Sequence, residues 1–250
     1  MSADAVTVLG VRVDGLDVAG LLARVDVLVA RGGATVAYAN VHVINTAASS
    51  EGADVRAFLN GADVCYCDGG GVVMGARLLG HALPGRMTGA DWIWDLARHA
   101  EGRYRLYWLG SEPGVTEAAA AILREKHPRL AIVCDHGFHG KSGPENDEVV
   151  AKINASKSDI VLVGMGTPTQ ERWVAANRAA ITAPVVWVLG ATADFVSGKV
   201  ARGPAFLHQN QEWLARLYTE PRRLWRRYLI GNTVFLARVG AQALGERVRG

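Results

Sequence analysis

Cysteine is scarce in this chain: Cys65, Cys67 and Cys134 are the three among 250 residues. An odd count without Cys-x-x-Cys spacing argues against a disulfide framework or a zinc knuckle. Cys65 and Cys67 alternate along an expected strand and read as small structural residues. No apolar run reaches the ~18–20 residues that cross a bilayer as a helix. The nearest approach, YLIGNTVFLARVGAQAL, is broken by Asn232 and Arg238. The N-terminus, MSADAVTVLG, lacks the basic region and the long apolar stretch of a secretory signal. The expectation is a cytoplasmic protein that does not span the membrane. Low-complexity segments and internal repeats are also missing.

Several catalytic signatures are absent. Asp-x-Asp occurs nowhere. Many sugar-nucleotide enzymes hold a divalent ion on the donor diphosphate with that motif, so its absence points to metal-independent chemistry. His136 and His139 in HGFH have no nearby third ligand such as a helical Glu, and read as loop residues. We therefore expect no metal and no cofactor. VGMGTPTQ places Gly164 and Gly166 after a strand but has no third glycine at the dinucleotide spacing, which weakens a nucleotide-binding oxidoreductase. GFHGKS ends like a phosphate loop, yet Asp135 stands where the first glycine belongs, so it reads as a surface loop. A Gly-x-Ser-x-Gly nucleophile elbow is missing too.

What is present is ordinary globular composition, half hydrophobic and a fifth charged, in a chain long enough for a sizeable core. Short apolar runs alternate with helical patterns. VTVLGVRV, ATVAYA, ADVCYC, YRLYWLG, LAIVCDHG, DIVLVGMG and VVWVLGA read as strands. VAGLLARVDVLVA, VHVINTAAS, WIWDLARHA, SEPGVTEAAAAILREKH, PENDEVVAKINAS and PTQERWVAANRAA read as helices, some with leading turn residues. Nearly all-apolar strands in a βαβα rhythm predict an α/β fold, a Rossmann-like and mostly parallel sheet with helices on both faces. Strand signals stop after about Val188, and residues 204–244 read as helices. The expected division is an α/β domain over 1–203 and a C-terminal helical appendage over 204–250.

In such sheets ligands sit beyond the carboxyl ends of the strands. The residues expected there are Asn40, Asp68, Gly110, Ser111, Gly164, Met165, Gly166 and the stretch Ala191–Asp194. Asp68 precedes Gly69, Gly70 and Gly71, so it reads either as a carboxylate base beside approachable backbone or as a turn residue capping a helix. Arg86 opens RMTGAD and is suited to clamp a phosphate, while Thr88 or Asp91 caps the next helix. Pro168, Gln170 and Glu171 open another helix after a strand. A helix N-terminus there favours an anion, and Gln170 is suited to bond a sugar hydroxyl.

The last fifth carries the strongest charge signal. EWLARLYTEPRRLWRRYL sets Arg216, Arg222, Arg223, Arg226 and Arg227 among aromatic and aliphatic residues. Residues 214–250 hold eight Arg against two Glu, a charge of +6 in a chain that totals +3, so the rest sums to −3. A slightly acidic body with a basic, aromatic tail predicts a partner that is anionic and greasy, or a polyanion. The polyanion alternative would make the chain a nucleic-acid-binding protein. The strand-end polar set instead suits a small-molecule crevice.

Taken together, DGGGVVMGARLLG, RMTGADWIWDL, YWLGSEPGV, HGFHG, DIVLVGMGTPTQERW, ADFVSGKVARGP and EWLARLYTEPRRLWRRY resemble the WecG/TagA/CpsF family of bacterial glycosyltransferases, in order and spacing, from about Val6 to about Leu236. The resemblance implies an inverting, metal-independent transfer. A sugar, N-acetylmannosamine or another hexose, moves from a nucleotide-sugar donor, UDP-linked in the best-known case, to a polyprenyl-diphosphate-linked sugar in cell-surface polysaccharide or teichoic acid synthesis. It implies Asp68 as the base, with Arg86 and Asn40 beside it. It implies Gly110, Gly164, Gly166, Gln170, Glu171 and Asp194 around the donor, and Arg216, Arg223 and Arg226 on a diphosphate. It also implies peripheral association with the inner face of the cell membrane and no nucleic acid as partner, and it leaves self-association into a homo-oligomer open. Two positions depart from the family pattern: Tyr38 stands where Thr is common, which bears on the sugar pocket, and Thr169 replaces a common Lys.

Overall fold

The computed structural model describes residues 5–200 and 225–249. The chain enters through a hairpin of β1 (Val6–Val8) and β2 (Val11–Val13), antiparallel with Val8 opposite Val11. The sequence pattern VTVLGVRV predicts one strand here, and the structure corrects it. Leu9 and Gly10 have φ of 51° and 79°, and positive φ at both central residues closes a two-residue turn. Apolar periodicity carries no trace of a leucine in that conformation.

Helix α1 (Val18–Arg31) follows, then β3 (Ala34–Ala39), α2 (Val41–Ala47), α3 (Ala53–Gly61), β4 (Val64–Cys67), α4 (Gly70–Leu78) and α5 (Gly89–Ala100). Next come β5 (Arg105–Gly110), α6 (Val115–Lys126), β6 (Ala131–Asp135), α7 (Pro144–Ala155), β7 (Ile160–Gly164), α8 (Thr169–Asn177), β8 (Val185–Val188) and the short α9 (Thr192–Val196). The six strands β3 to β8 form one sheet in the order β4-β3-β8-β7-β5-β6, and every neighbouring pair is parallel. This is the α/β architecture that the alternation of patterns predicts.

The local reasons are legible. All residues of IVLVG and VVWV are buried, as expected for central strands covered on both faces. Asp17 caps α1 by accepting from the Gly20 N–H at 2.7 Å, and Leu21, Leu22, Val25 and Leu28 form its buried stripe. Helices α1, α5, α9 and α6 contact one another in series, as do α2, α3 and α8, and these groups flank the sheet. Trp92 of α5 stacks on Trp187 of β8 at 4.4 Å between centroids, with Tyr66 of β4 edge-on to both. Helix α3 has no counterpart in the sequence reading. It starts on Gly52 without a side-chain cap, and Val55 and Leu59 are its buried residues.

Beyond residue 224, Trp225 leads into a π-helical turn, Arg226–Ile230, and then α10 (Gly231–Arg249). Helix α10 lies against α2 and α4. Phe235 and Val239 are fully buried and belong to the same core as the sheet. Contact is close because Gly75 of α4 lacks a side chain: a Cβ there would stand 2.8 Å from Phe235 Cζ. Asn45 donates to the Gly231 carbonyl at 2.7 Å, and the Leu9 N–H donates to Gln242 Oε1 at 2.8 Å. Among the described residues no helix is long and apolar enough to cross a membrane.

Candidate active site

The connections leaving β5 and β7 run in opposite directions, β5 to β6 on one side and β7 to β8 on the other. The switch point between them is where a crevice forms in an open parallel sheet. Glycines line it. A Cβ on Gly110 would lie 2.4 Å from the Gly164 carbonyl oxygen, and one on Gly164 would lie 2.4 Å from that of Gly190. A Cβ on Gly137 would lie 3.1 Å from Gly110 Cα. Four neighbouring strand ends therefore meet main chain to main chain, and any side chain there would force them apart. Gly166 serves differently, turning the chain after β7 with a φ of 76°. The sequence motifs do not single out Gly137 and Gly190. Their signal is a glycine just past an apolar strand run, the same cue that marks Gly110 and Gly164.

On the other side of the sheet, β3 and β4 bring Asn40 and Asp68 together. Their register pairs Ala39 with Cys67, and the Asp68 N–H donates to the Ala39 carbonyl at 2.9 Å, so the next residues are also opposed. Asn40 does two things at once. Its Oδ1 accepts from the Val43 N–H at 3.0 Å, capping α2, and its Nδ2 donates to Asp68 Oδ2 at 3.1 Å. The cap fixes the amide, and the amide fixes one carboxylate oxygen. Asp68 is half-buried just before the N-terminus of α4. Gly71 permits this convergence, since a Cβ there would meet Val41 Cγ2 at 2.5 Å.

The segment carrying Arg86 lies beside the same end of β4, because the Met87 N–H donates to the Cys67 carbonyl at 2.8 Å. Arg86 Nη2 is 4.0 Å from Asp91 Oδ2, and Thr88 Oγ1 donates to that oxygen at 2.5 Å. Thr88 occupies the N-cap position of α5, with its hydroxyl turned to Asp91 rather than to a backbone N–H. Cys65 and Cys67 are buried in β4. Burial raises both thiols, Cys67 to about 11, so neither is a nucleophile at neutral pH.

After β7 the polar residues turn inward. Gln170 is wholly buried, and its Oε1 accepts from the Gly190 N–H at 3.2 Å. Its Nε2 donates to the Tyr38 hydroxyl at 3.2 Å and to Glu171 Oε1 at 2.9 Å. Both amide hydrogens are thus committed inside the protein. Thr167 Oγ1 donates to the same Glu171 oxygen at 2.9 Å. Glu171 is 1% exposed, and its second oxygen has no hydrogen-bond partner among the described residues. Burial raises its carboxyl above the ordinary glutamate value, against the lowering from Gln170. Tyr38 sits between Glu171 and Asp68, and burial together with those two carboxyls raises its phenol, which stays neutral.

At the far rim, Ser111 donates to Asp194 Oδ2 at 3.0 Å. Lys199, which lies within ADFVSGKVARGP, joins them, 3.5 Å from Asp194 Oδ1 and 2.9 Å from Glu112 Oε1. The HGFHGKS loop curls back on itself. Lys141 Nζ donates to the Gly137 carbonyl at 2.5 Å and to that of His139 at 2.9 Å, and His139 packs edge-on to Trp173. Among the described residues no group of three or more His, Cys, Asp or Glu is placed to hold a metal ion. Arg216 and Arg223 lie outside the described residues. Arg226 is exposed, with its guanidinium 5.3 Å from the Trp225 ring centroid.

The arrangement sets a half-buried carboxylate held by an asparagine amide at one strand end and close-packed glycine main chain at its neighbours. Comparison with known proteins supplies the family. The model of the glycosyl transferase WecG/TagA/CpsF family matches residues 6–249. An N-acetylglucosaminyldiphosphoundecaprenol N-acetyl-beta-D-mannosaminyltransferase of Bacillus spizizenii is 34% identical over 176 residues, covering 70% of this chain and 67% of that protein. A Staphylococcus aureus protein of the same name, from strain NCTC 8325 / PS 47, is 27% identical over 190 residues, covering 75% and 73%.

Proposed function

Because this chain belongs to the WecG/TagA/CpsF family of glycosyltransferases, we propose that it transfers N-acetylmannosamine, with inversion, from a uridine-diphosphate donor to N-acetylglucosamine on a polyprenyl diphosphate. The relatives' names supply the transferred sugar and the acceptor. The observation that carries the reading is the Asp68 carboxylate, held by Asn40 at a parallel strand end beside bare glycine backbone. Family membership sets aside the nucleic-acid-binding and oxidoreductase alternatives.

In this reading the acceptor hydroxyl attacks the anomeric carbon from the face opposite the leaving diphosphate. The new carbon–oxygen bond forms as the bond to the diphosphate oxygen breaks. Asp68 takes the hydroxyl proton, and the nucleoside diphosphate leaves with the electron pair. An ordinary aspartate is ionised at neutral pH and able to accept that proton. Asn40 orients the carboxylate. Charge on the leaving diphosphate falls to Arg86 and to main-chain N–H groups near Gly110, Gly164 and Gly166. Gln170 and Glu171 hold this wall from behind, and Asp194 with Ser111 bounds the donor on the far rim. Arg216, Arg223 and Arg226 engage a diphosphate.

We divide the chain by task into a glycosyltransferase domain, 1–203, and a membrane-associating segment, 204–250. Exposure of Trp225, Leu229 and Ile230 beside Arg226 supports contact of that segment with the inner face of the cell membrane. The test is a donor panel of UDP-N-acetylmannosamine, UDP-N-acetylglucosamine and UDP-glucose with a lipid-diphosphate N-acetylglucosamine acceptor, the product linkage read by NMR. A β-linked N-acetylmannosamine product is expected. Absence of transfer from every donor, or an α-linked product, overturns the proposal.

A further inference from the structure

Helix α4 joins the candidate base to an apolar groove. It begins at Gly70, two residues past Asp68, and runs nine residues, about 13 Å at 1.5 Å per residue. Positions four apart share a helix face, so Gly70, Met74 and Leu78 form one stripe. All three are exposed, Met74 at 46% and Leu78 at 48%, although both are large apolar side chains. Arg77 is the one charged residue of α4, which contains no carboxylate. Where the stripe ends, Leu78, Leu79 and Gly80 face Ala243 and Glu246 of α10 across a groove of about 220 Å³. Leu244, beside it on α10, is 64% exposed. Close packing of Gly75 on Phe235 holds the two helices together, so the groove has a built wall on each side.

We propose that the stripe and groove bind the polyisoprenyl chain of the lipid-diphosphate acceptor. This rests on the function proposed above. An acceptor whose sugar hydroxyl meets Asp68 must lead its hydrocarbon tail away from the polar crevice along some apolar route. The Gly70–Met74–Leu78 stripe starts at the base and ends between two helices. Bare glycine at its head leaves room for the sugar diphosphate, and the methionine and leucine beyond it suit an irregular hydrocarbon. A bilayer surface lies against convex apolar patches, whereas this groove lies between two helices, a shape that suits part of one hydrocarbon chain.

The test uses the full-length protein in detergent micelles with two acceptors, an undecaprenyl-diphosphate N-acetylglucosamine and a three-isoprene analogue. Two variants are compared with the wild type. Met74→Gln with Leu78→Gln removes the stripe at exposed helical positions. Ala243→Phe plugs the groove while keeping it apolar. Both are expected to raise KM for the long-chain acceptor ~10-fold or more, the loss of roughly one buried apolar side chain, with donor KM within ~2-fold, and Ala243→Phe, at the far end, leaves KM for the short acceptor within ~2-fold. Equal effects of Ala243→Phe on both acceptors, or no effect of either variant, overturn the inference. If Ala243→Phe transfers normally in micelles while the polar double variant loses only vesicle binding, the patch touches the bilayer and the inference fails.

A second readout does not depend on transfer: a polyprenyl phosphate with a terminal photo-crosslinker, mapped by mass spectrometry. Crosslinks within 74–80 and 243–246 support the inference even if no glycosyl transfer is found, in which case the proposed function falls alone. Crosslinks elsewhere, with transfer intact, overturn the inference and leave the function standing.

Discussion

The ends of β4 and β7 invite comparison. Each strand is apolar, each is followed by a polar residue near a glycine, and each leads into a helix. Asp68, after β4, is half-buried with one oxygen held by Asn40. Gln170 and Glu171, after β7, are wholly buried and spend their polar groups on Tyr38, Thr167 and the Gly190 turn. The first residue is partly open to solvent, and the second pair is closed inside the protein. A polar residue after a strand can thus stay partly open or be committed inside the fold, and the two cases differ in burial.

The comparison is broken most sharply at Asp68. Asp68→Asn should lower turnover by ~10²–10⁴ with melting temperature and UDP affinity unchanged, because the amide fits but takes no proton. Near-normal turnover removes Asp68 from the role. Gln170→Ala should show the opposite profile. It leaves the Gly190 N–H unpaired and opens a cavity, costing about 2–4 kcal/mol, a Tm drop of roughly 5–12 °C by calorimetry. A stable Gln170→Ala protein with lost donor affinity would move Gln170 from scaffold to ligand contact. Asn40 stands between the two. Asn40→Ala removes the α2 cap and the Asp68 partner, for about 1 kcal/mol of stability and a ~10-fold fall in kcat, with the donor KM little changed. A fall in stability alone would leave it a cap.

Glu171 sharpens the comparison through pH. Its carboxyl is raised on folding from an ordinary value of 4.5, so the native state favours its proton. Its contribution to stability is complete below that ordinary value and is lost as pH climbs through the raised one. Glu171→Gln lacks this slope. The difference in Tm between variant and wild type should therefore shift in the variant's favour from about pH 5 to about pH 8, as calorimetry at both values would reveal. A constant difference would mean that Glu171 is not neutralised by burial. The smallest effect concerns metal. With no Asp-x-Asp in the sequence, excess EDTA should change the transfer rate by less than ~2-fold. Loss restored by magnesium or manganese would reveal a metal in the mechanism.

Much of the fold is legible in the amino-acid sequence. The unbroken apolar runs IVLVG and VVWV mark buried strands, and a capping residue such as Asp17 marks a helix start. The hairpin is not legible, because its turn depends on a leucine at positive φ whose N–H meets Gln242, a residue 233 positions away. Nor is the docking of α10, which depends on Gly75 admitting Phe235. The sequence reads as a helical appendage over 204–250, and the structure adds that its helix α10 places Phe235 and Val239 in the same core as the sheet. At the site, the strand-end positions of Asp68 and Gln170 are legible and their opposite burial is not, since burial depends on which neighbouring strand covers each one.

The sequence by itself determined the parallel α/β layout, the glycine-marked strand ends and the charge split, because these depend on composition and on periodicities of a few residues. Only the tertiary structure decided that Asn40 meets Asp68, that Gln170 turns inward to Gly190, and that α4 ends in a groove with α10. Each of those depends on strand order and on which glycine lets two backbones touch, and local sequence encodes neither.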